Sequence, residues 1–172
     1  YAQVLSDLGQ TIEAEEHYKK ALQIDPDEAN YHWSYAKFLR TKIRFYEAEK
    51  YISIALRKNS ENPHYLAAFG DILADEGYFK EAINEYHKAL NTTVPPFSTL
   101  ESEIRNNLGW CYAQLKQETK AENEIKKATI LDPTNIKAVR NLRALANANK
   151  FFLDFSRNQI CILAFPVILL IL

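Results

Sequence analysis

Histidine, cysteine and carboxylate are the side chains that hold metals, move protons or attack carbonyl carbon. The chain has four histidines (His17, His32, His64, His87) and two cysteines (Cys111, Cys161). A zinc site needs ligands at short fixed spacings, and a nucleophilic site needs a base beside its nucleophile. Neither pattern occurs: no CxxC or Cys/His spacing is present, and the histidines fall on polar faces or near the starts of helical stretches. There is no glycine-rich phosphate loop. Glu15, Glu16, Glu81 and Glu85 read as solvated helix faces with lysine partners one turn on. Each cysteine sits in an apolar run, where a buried free thiol is expected. No catalytic residue, metal or cofactor is expected, and the chain does not read as an enzyme.

The remaining chemistry is that of binding. Trp110 lies between Leu108 and Tyr112, which share an apolar stripe. At about 100° per residue Trp110 points away from both. An indole exposed on a wall makes a binding anchor; packing against a neighbouring helix is the competing reading.

The elements that position such a residue follow from an internal repeat. "KKALQIDP" (19–26) returns as "KKATILDP" (126–133). Ala14, Ala48, Ala82 and Ala121 occupy one column, at steps of 34, 34 and 39, the last lengthened by the loop-like "NTTVPPFSTL". Seven residues on stand Ala21, Ala55, Ala89 and Ala128, and between the two columns Tyr18, Ile52, Tyr86 and Ile125. Twelve before stand Ala2, Ala36, Gly70 and Gly109. Small residues two turns apart line one stripe and let a neighbouring helix approach, while the large residue between them fills the gap. Pro26 and Pro133 end a helix and extend the residue before them. Each unit is therefore a helical hairpin that cannot bury its own apolar faces, so the units must stack. Four glycines and six prolines suit long helices with short turns.

"AAFGDILADEGYFKEAINEYHKALN" (67–91) and "NNLGWCYAQLKQETKAENEIKKATILDP" (106–133) resemble the tetratricopeptide repeat. The resemblance covers about residues 1–149. It implies an all-α, right-handed superhelical solenoid of antiparallel helix pairs. The units fall at 1–28 (partial), 29–62, 63–97 and 98–135, with a fifth first helix at 136–150. It also implies a protein–protein interaction scaffold that holds a partner's peptide or helix in a concave groove lined by the first helices. Carried onto this sequence, that groove is lined by Asn30, Trp33, Ser34, Lys37 and Arg40, then His64, Asp71 and Asp75. Asn106, Asn107, Trp110 and Gln114 follow, and Arg140 and Asn141 end the row. Its charge runs basic, acidic, neutral, basic, so no ligand of a single sign is indicated. Some members clamp a chaperone's C-terminal carboxylate with lysines, asparagines and an arginine; one register here yields Trp33 and Lys37, then Ala68, then Glu103 and Asn107, and no register completes the set.

About half the residues are apolar and a quarter charged, as in a globular domain. A net charge of -1 argues against general binding of nucleic acid or anionic membrane. The chain has no Met and opens at Tyr1 inside a helical pattern, so a fragment of a longer, cytoplasmic protein is expected. Two alternatives stay open. One is a regulatory or substrate-recruiting segment of a larger enzyme, such as a protein glycosyltransferase. The other is a tail-anchored receptor, since residues 151–172 lie outside the repeat and end in thirteen uncharged residues from Ile160 to Leu172. A span needs about 20 apolar residues, so the tail reads equally as an end cap, a truncated anchor or spurious sequence.

Overall fold

The structure is a computed structural model that describes residues 1–92 and 98–147. All regular structure among them is helical: α1 (Ala2–Asp7), α2 (Thr11–Ile24), α3 (Ala29–Thr41), α4 (Phe45–Lys58), α5 (Pro63–Asp75), α6 (Phe79–Thr92), α7 (Ser98–Gln114), α8 (Glu118–Leu131) and α9 (136–147). The apolar residues 151–172, with Cys161, lie outside the described residues. No helix of the described part is long and apolar enough to cross a membrane.

Consecutive helices pair as α1/α2, α3/α4, α5/α6 and α7/α8. Each second helix also packs on the first helix of the next pair, and the first helices α1, α3, α5 and α7 lie side by side. The result is the right-handed solenoid of antiparallel pairs, with the core threaded between helices rather than gathered at a centre.

The small-residue columns sit where backbones meet. Ala14, Ala48, Ala82 and Ala121 have no exposed surface, nor do Ala55, Ala89 and Ala128. A Cβ on Gly70 would lie 2.7 Å from the Tyr86 ring, and one on Gly109 would lie 2.6 Å from Ile125 and 3.0 Å from the Ala121 carbonyl oxygen. Side chains of any size there would force the pair apart. The columns are looser at the first pair, where Tyr1 is exposed and Ala2 and Ala21 half-buried, because no described helix covers that side.

The turn inside each pair follows a rule absent from the residue types. Gly9, Ile43, Gly77 and Lys116 occupy one column, and all four have positive φ (81°, 61°, 88° and 61°). At each, the residue's own N–H reaches back three residues, and the next N–H reaches back five: Gln10 to Leu5, Arg44 to Leu39, Tyr78 to Leu73 and Gln117 to Tyr112. This double closure satisfies the last carbonyls of the helix. Two of the four turns use glycine; the other two hold a side-chain-bearing residue in the left-handed region.

The turns between pairs break the helix by extending one residue: Asp25, Asn59 and Asp132 all have φ between -139° and -148°. Pro26 and Pro133 impose this, as expected. At Asn59 no proline follows, and the same break forms before Pro63 starts α5. Asn62 accepts from the His64 N–H and Glu28 from the Asn30 N–H, capping α5 and α3. His32 is buried and reaches the Pro26 carbonyl at 2.8 Å, tying α3 to the turn before it.

Of the glutamates expected to be solvated, Glu85 is largely covered and pairs with Lys88, and Glu15 is tied to the most partners. It pairs with Lys19 one turn on, as the spacing implies, and also bridges to the next pair. There it accepts from the Tyr35 hydroxyl at 3.0 Å and from Arg44 at 2.9 Å. Lys19 lowers its carboxyl most, burial opposes, and Arg44 and Tyr35 add to the lowering, holding it at about 2 instead of 4.5.

Two predictions follow from turn and bridge. Ile43 is exposed and β-branched in a left-handed conformation that costs about 1–2 kcal/mol outside glycine. Ile43→Gly should therefore raise stability by about 1 kcal/mol in denaturant unfolding; a loss would mean Ile43 is held by contacts not seen here. A carboxyl depressed in the folded state stabilises it above its unfolded value, and the gain is lost as pH falls toward the folded one. The stability gap between wild type and Glu15→Gln should accordingly be full above pH 4.5 and vanish toward about 2.

Candidate functional site

An open cleft of about 530 Å³ lies on the face formed by the first helices, between α5, α7 and α9 and reaching α3. Helical geometry brings its residues together. Glu103, Asn106, Asn107 and Trp110 recur at i, i+3, i+4 and i+7 along α7, and Asp71, Ala74 and Asp75 do so along α5. Arg40 enters from the last turn of α3, and Tyr86 reaches through from α6.

Asp71 is the centre of a polar network on the floor. One oxygen accepts from the Tyr86 hydroxyl at 2.7 Å and the Asn107 amide at 2.9 Å; the other accepts from Arg40 at 2.7 Å. Arg40 also donates to Asp75 at 2.7 Å. Asn106 donates to the Asn107 carbonyl oxygen at 3.2 Å and accepts from Asn141 at 2.9 Å. A chain of directed hydrogen bonds thus runs from α9 through α7 to α5, where α6 and α3 join it. Burial, then the charge and hydrogen bond of Asp71, push the Tyr86 hydroxyl well above the usual phenol range, so it stays a donor. For Arg40, burial works against the charge, but Asp71 and Asp75 outweigh it and raise its pKa. Beneath the floor, Cys111 is buried and free, its thiol pushed up to about 12 by burial and by the charges of Asp71 and Asp75.

Six residues expected to line a groove border this cleft together: Arg40, Asp71, Asp75, Asn106, Asn107 and Trp110. They divide by exposure. Asn106 is only 4% exposed, and its amide is engaged by its neighbours; it braces the wall and offers a ligand little. Trp110 is 39% exposed, with the Phe79 ring set edge-to-face at 5.4 Å. The indole is open on one side and packed on the other, against α6 rather than the neighbouring first helix.

The other expected residues stand elsewhere. Trp33 packs against His64 and Tyr65 with ring centroids 5.8 and 5.9 Å apart, and the Lys37 ammonium sits 4.7 Å over its ring. Asn30 accepts from the Tyr65 hydroxyl at 2.8 Å, so these residues form a separate aromatic cluster between α3 and α5. Ser34 borders a second cleft, with Tyr1, His17, Tyr18 and Tyr31. Gln114 and Arg140 are exposed and do not line the main cleft, and Asn141 serves it through Asn106. Residue reading missed Tyr86, Asp132, Thr134, Asn135 and Ile136. Asp132, Thr134 and Asn135 arrive with the turn before α9 and Ile136 with its first residue, and Tyr86 looked like core. Among the described residues, no three of His, Cys, Asp and Glu gather to hold a metal ion.

A family model for the tetratricopeptide repeat matches residues 1–28 and 102–135. The solved structure of PilF from Pseudomonas aeruginosa superposes with a TM-score of 0.78 over 88% of this chain and 67% of that one, at 22% identity. Residues 1–28 and 102–135 carry the tetratricopeptide repeat, and the described fold is that of a tetratricopeptide solenoid. By sequence it is similar to the type IV pilus assembly protein PilF of P. aeruginosa, 28% identical over 124 residues. That match takes in 72% of this chain and spans 48% of the relative's length. The solenoid also superposes on YrrB, described as a TPR protein with an unusual peptide-binding site. There the TM-score is 0.62 at 23% identity, over 87% of this chain and 74% of that one. The first TPR of Spaghetti (RPAP3), bound to the HSP90 peptide SRMEEVD, matches with a TM-score of 0.63 at 16% identity, over 73% of this chain and 96% of that one. At these identities the structures show a shared fold.

The network on the floor can be tested by removing its centre. Asp71→Ala leaves Tyr86 and Asn107 without their acceptor and Arg40 with Asp75 alone, and should cost about 3 kcal/mol. Tyr86→Phe leaves Asp71 two donors and should cost about 1 kcal/mol. Equal losses in urea unfolding would show that the three bonds are not joined through Asp71.

Proposed function

We propose that this chain is a non-enzymatic interaction module whose concave face holds a segment of a protein partner, with the cleft between α5, α7 and α9 as the seat. One observation carries the reading: Trp110 stands half-open at the mouth of that cleft although Asn106 and Asn107 beside it on the same helix face are bound into the scaffold. An aromatic anchor in a pocket whose polar floor is already hydrogen-bonded can bury area without reorganising the protein. Peptide binding by YrrB and by the first TPR of Spaghetti, which share the fold, supports the same reading. The cleft is open along its length, which suits a chain segment better than an enclosed small molecule.

Selection of displayed random peptides on the wild-type chain tests it. Binders should be recovered, and Trp110→Ala, which keeps the scaffold, should weaken them about tenfold or more. Recovered peptides that bind the variant as tightly as wild type would remove the cleft as the seat.

A further inference from the structure

The chemistry of the occupant can be taken further; this step rests on the groove reading above. Four carboxylates, Asp71, Asp75, Glu103 and Asp132, border the cleft against two cations, Arg40 and Lys137. Residue order along the chain suggested a face of alternating sign, but folding gathers the acids. The Arg40 charge is engaged by Asp71 and Asp75 at 2.7 Å each, so it is not available to an incoming anion. Glu103 is exposed and makes no ion pair or hydrogen bond among the described residues. Asn106 and Asn107, between Glu103 and Trp110 on the same face, are engaged by each other, Asn141 and Asp71. The groups left for a ligand on the α5–α7 side are the Glu103 carboxylate, the outer edge of Asp75 and the Trp110 indole. Lys137 borders the α9 side without an ion pair among the described residues, and it repels a cation from that end.

A half-open aromatic ring in a cleft bordered by carboxylates at both of its ends suits long side chains with an apolar stem and a cationic head. The stem covers the ring, while the head gains from the ring's negative face and from charge-assisted hydrogen bonds. We propose that the cleft takes a basic segment of a protein partner, with one lysine or arginine laid along Trp110 and the segment's cationic heads facing Glu103 and Asp75 on either side of that ring. An acidic segment would meet the same two carboxylates with like charge and no unpaired cation on the α5–α7 side to offset them.

Three dye-labelled, end-blocked peptides of about ten residues test this, long enough at ~3.3 Å per residue to cross the cleft. They alternate glycine with arginine, glutamate or glutamine, and binding is read by fluorescence anisotropy at low and high salt. The arginine peptide should bind most tightly and weaken as salt rises. Glu103→Gln and Trp110→Ala should each weaken it about tenfold. Glu13→Gln, which removes an exposed carboxylate of α2 outside the cleft, should leave it unchanged. Because Glu103 loses no ion pair or hydrogen bond among the described residues, its variant should show the wild-type circular dichroism and melting curve. Equal loss in Glu13→Gln and Glu103→Gln would reduce the effect to diffuse charge and overturn the proposal. Preferential binding of the glutamate or glutamine peptide, lost in Trp110→Ala, would keep the cleft as a docking seat and overturn its basic preference. Failure of the arginine peptide to bind would also overturn the preference, and the groove reading would then stand or fall on the display selection alone.

Discussion

Paired helices in this chain approach one another only where side chains are nearly absent, and the rest of the architecture depends on that approach. Seven alanines of the second helices are wholly buried. At Gly70 and Gly109 the space that one methyl group would need is already filled by Tyr86 and Ile125. The large residue of the second helix therefore fits because the first helix gives it room. A hairpin so closed buries one stripe and leaves another open, and the open stripe can be covered only by the next hairpin. Stacking is thus a consequence of close packing within each pair, and the concave face is a consequence of stacking.

The same packing decides what the concave face can offer. Where the second helix supplies tyrosine, as at Tyr18 and Tyr86, the hydroxyl crosses the pair and needs an acceptor on the first helix; Gln3 and Asp71 provide it from one column of the repeat. Where the second helix supplies Ile52 or Ile125, nothing crosses, and the same column is free to hold Lys37 or Trp110. A core choice between tyrosine and isoleucine therefore sets whether the facing position is tied down or turned outward. Asp71 is a wall-to-core strut and Trp110 an outward ring for this reason, although they are equivalent positions of successive units.

Much of the fold was legible because close packing restricts residue type. Alanine and glycine columns at a 34-residue step, with proline at the breaks, require a helical hairpin that stacks, and the helices form where that pattern puts them. The turns within pairs were not legible. Gly9 and Gly77 suggest a left-handed residue, but Ile43 and Lys116 in the same column hide it, because the hydrogen bonds that close the turn are backbone bonds and tolerate a strained side chain. The cleft was half legible. The resemblance to the repeat family, carried onto the first helices, pointed to Asp71, Asp75, Asn107 and Trp110, which share faces of single helices. It could not show that Asn106 is buried, that Trp33 and Lys37 turn to each other, or that the turn before α9 adds Asp132. Those facts depend on contacts between helices about 35 residues apart in sequence, which residue types constrain only weakly.

Charge shows why such contacts matter for function. Along the chain, Arg40 precedes Asp71 and Asp75 by one repeat and reads as a basic position beside an acidic one. In the solenoid those positions are adjacent, and the arginine fork is held by both carboxylates. Its contribution to the face is therefore mechanical, since it fixes α3 against α5, and its charge is largely cancelled. Glu103, one unit further on, is exposed at the edge of the cleft and makes no ion pair among the described residues. A residue's sign in the sequence thus says little about the sign of the surface until the neighbours supplied by the next repeat are known. Translational stacking is what supplies them: it brings like columns side by side, so a substitution in one unit changes the electrostatics of the next. A repeat protein can in this way alter what its groove accepts by single changes at columns whose packing role is already fulfilled elsewhere, with no cost to the small residues that hold the pairs together.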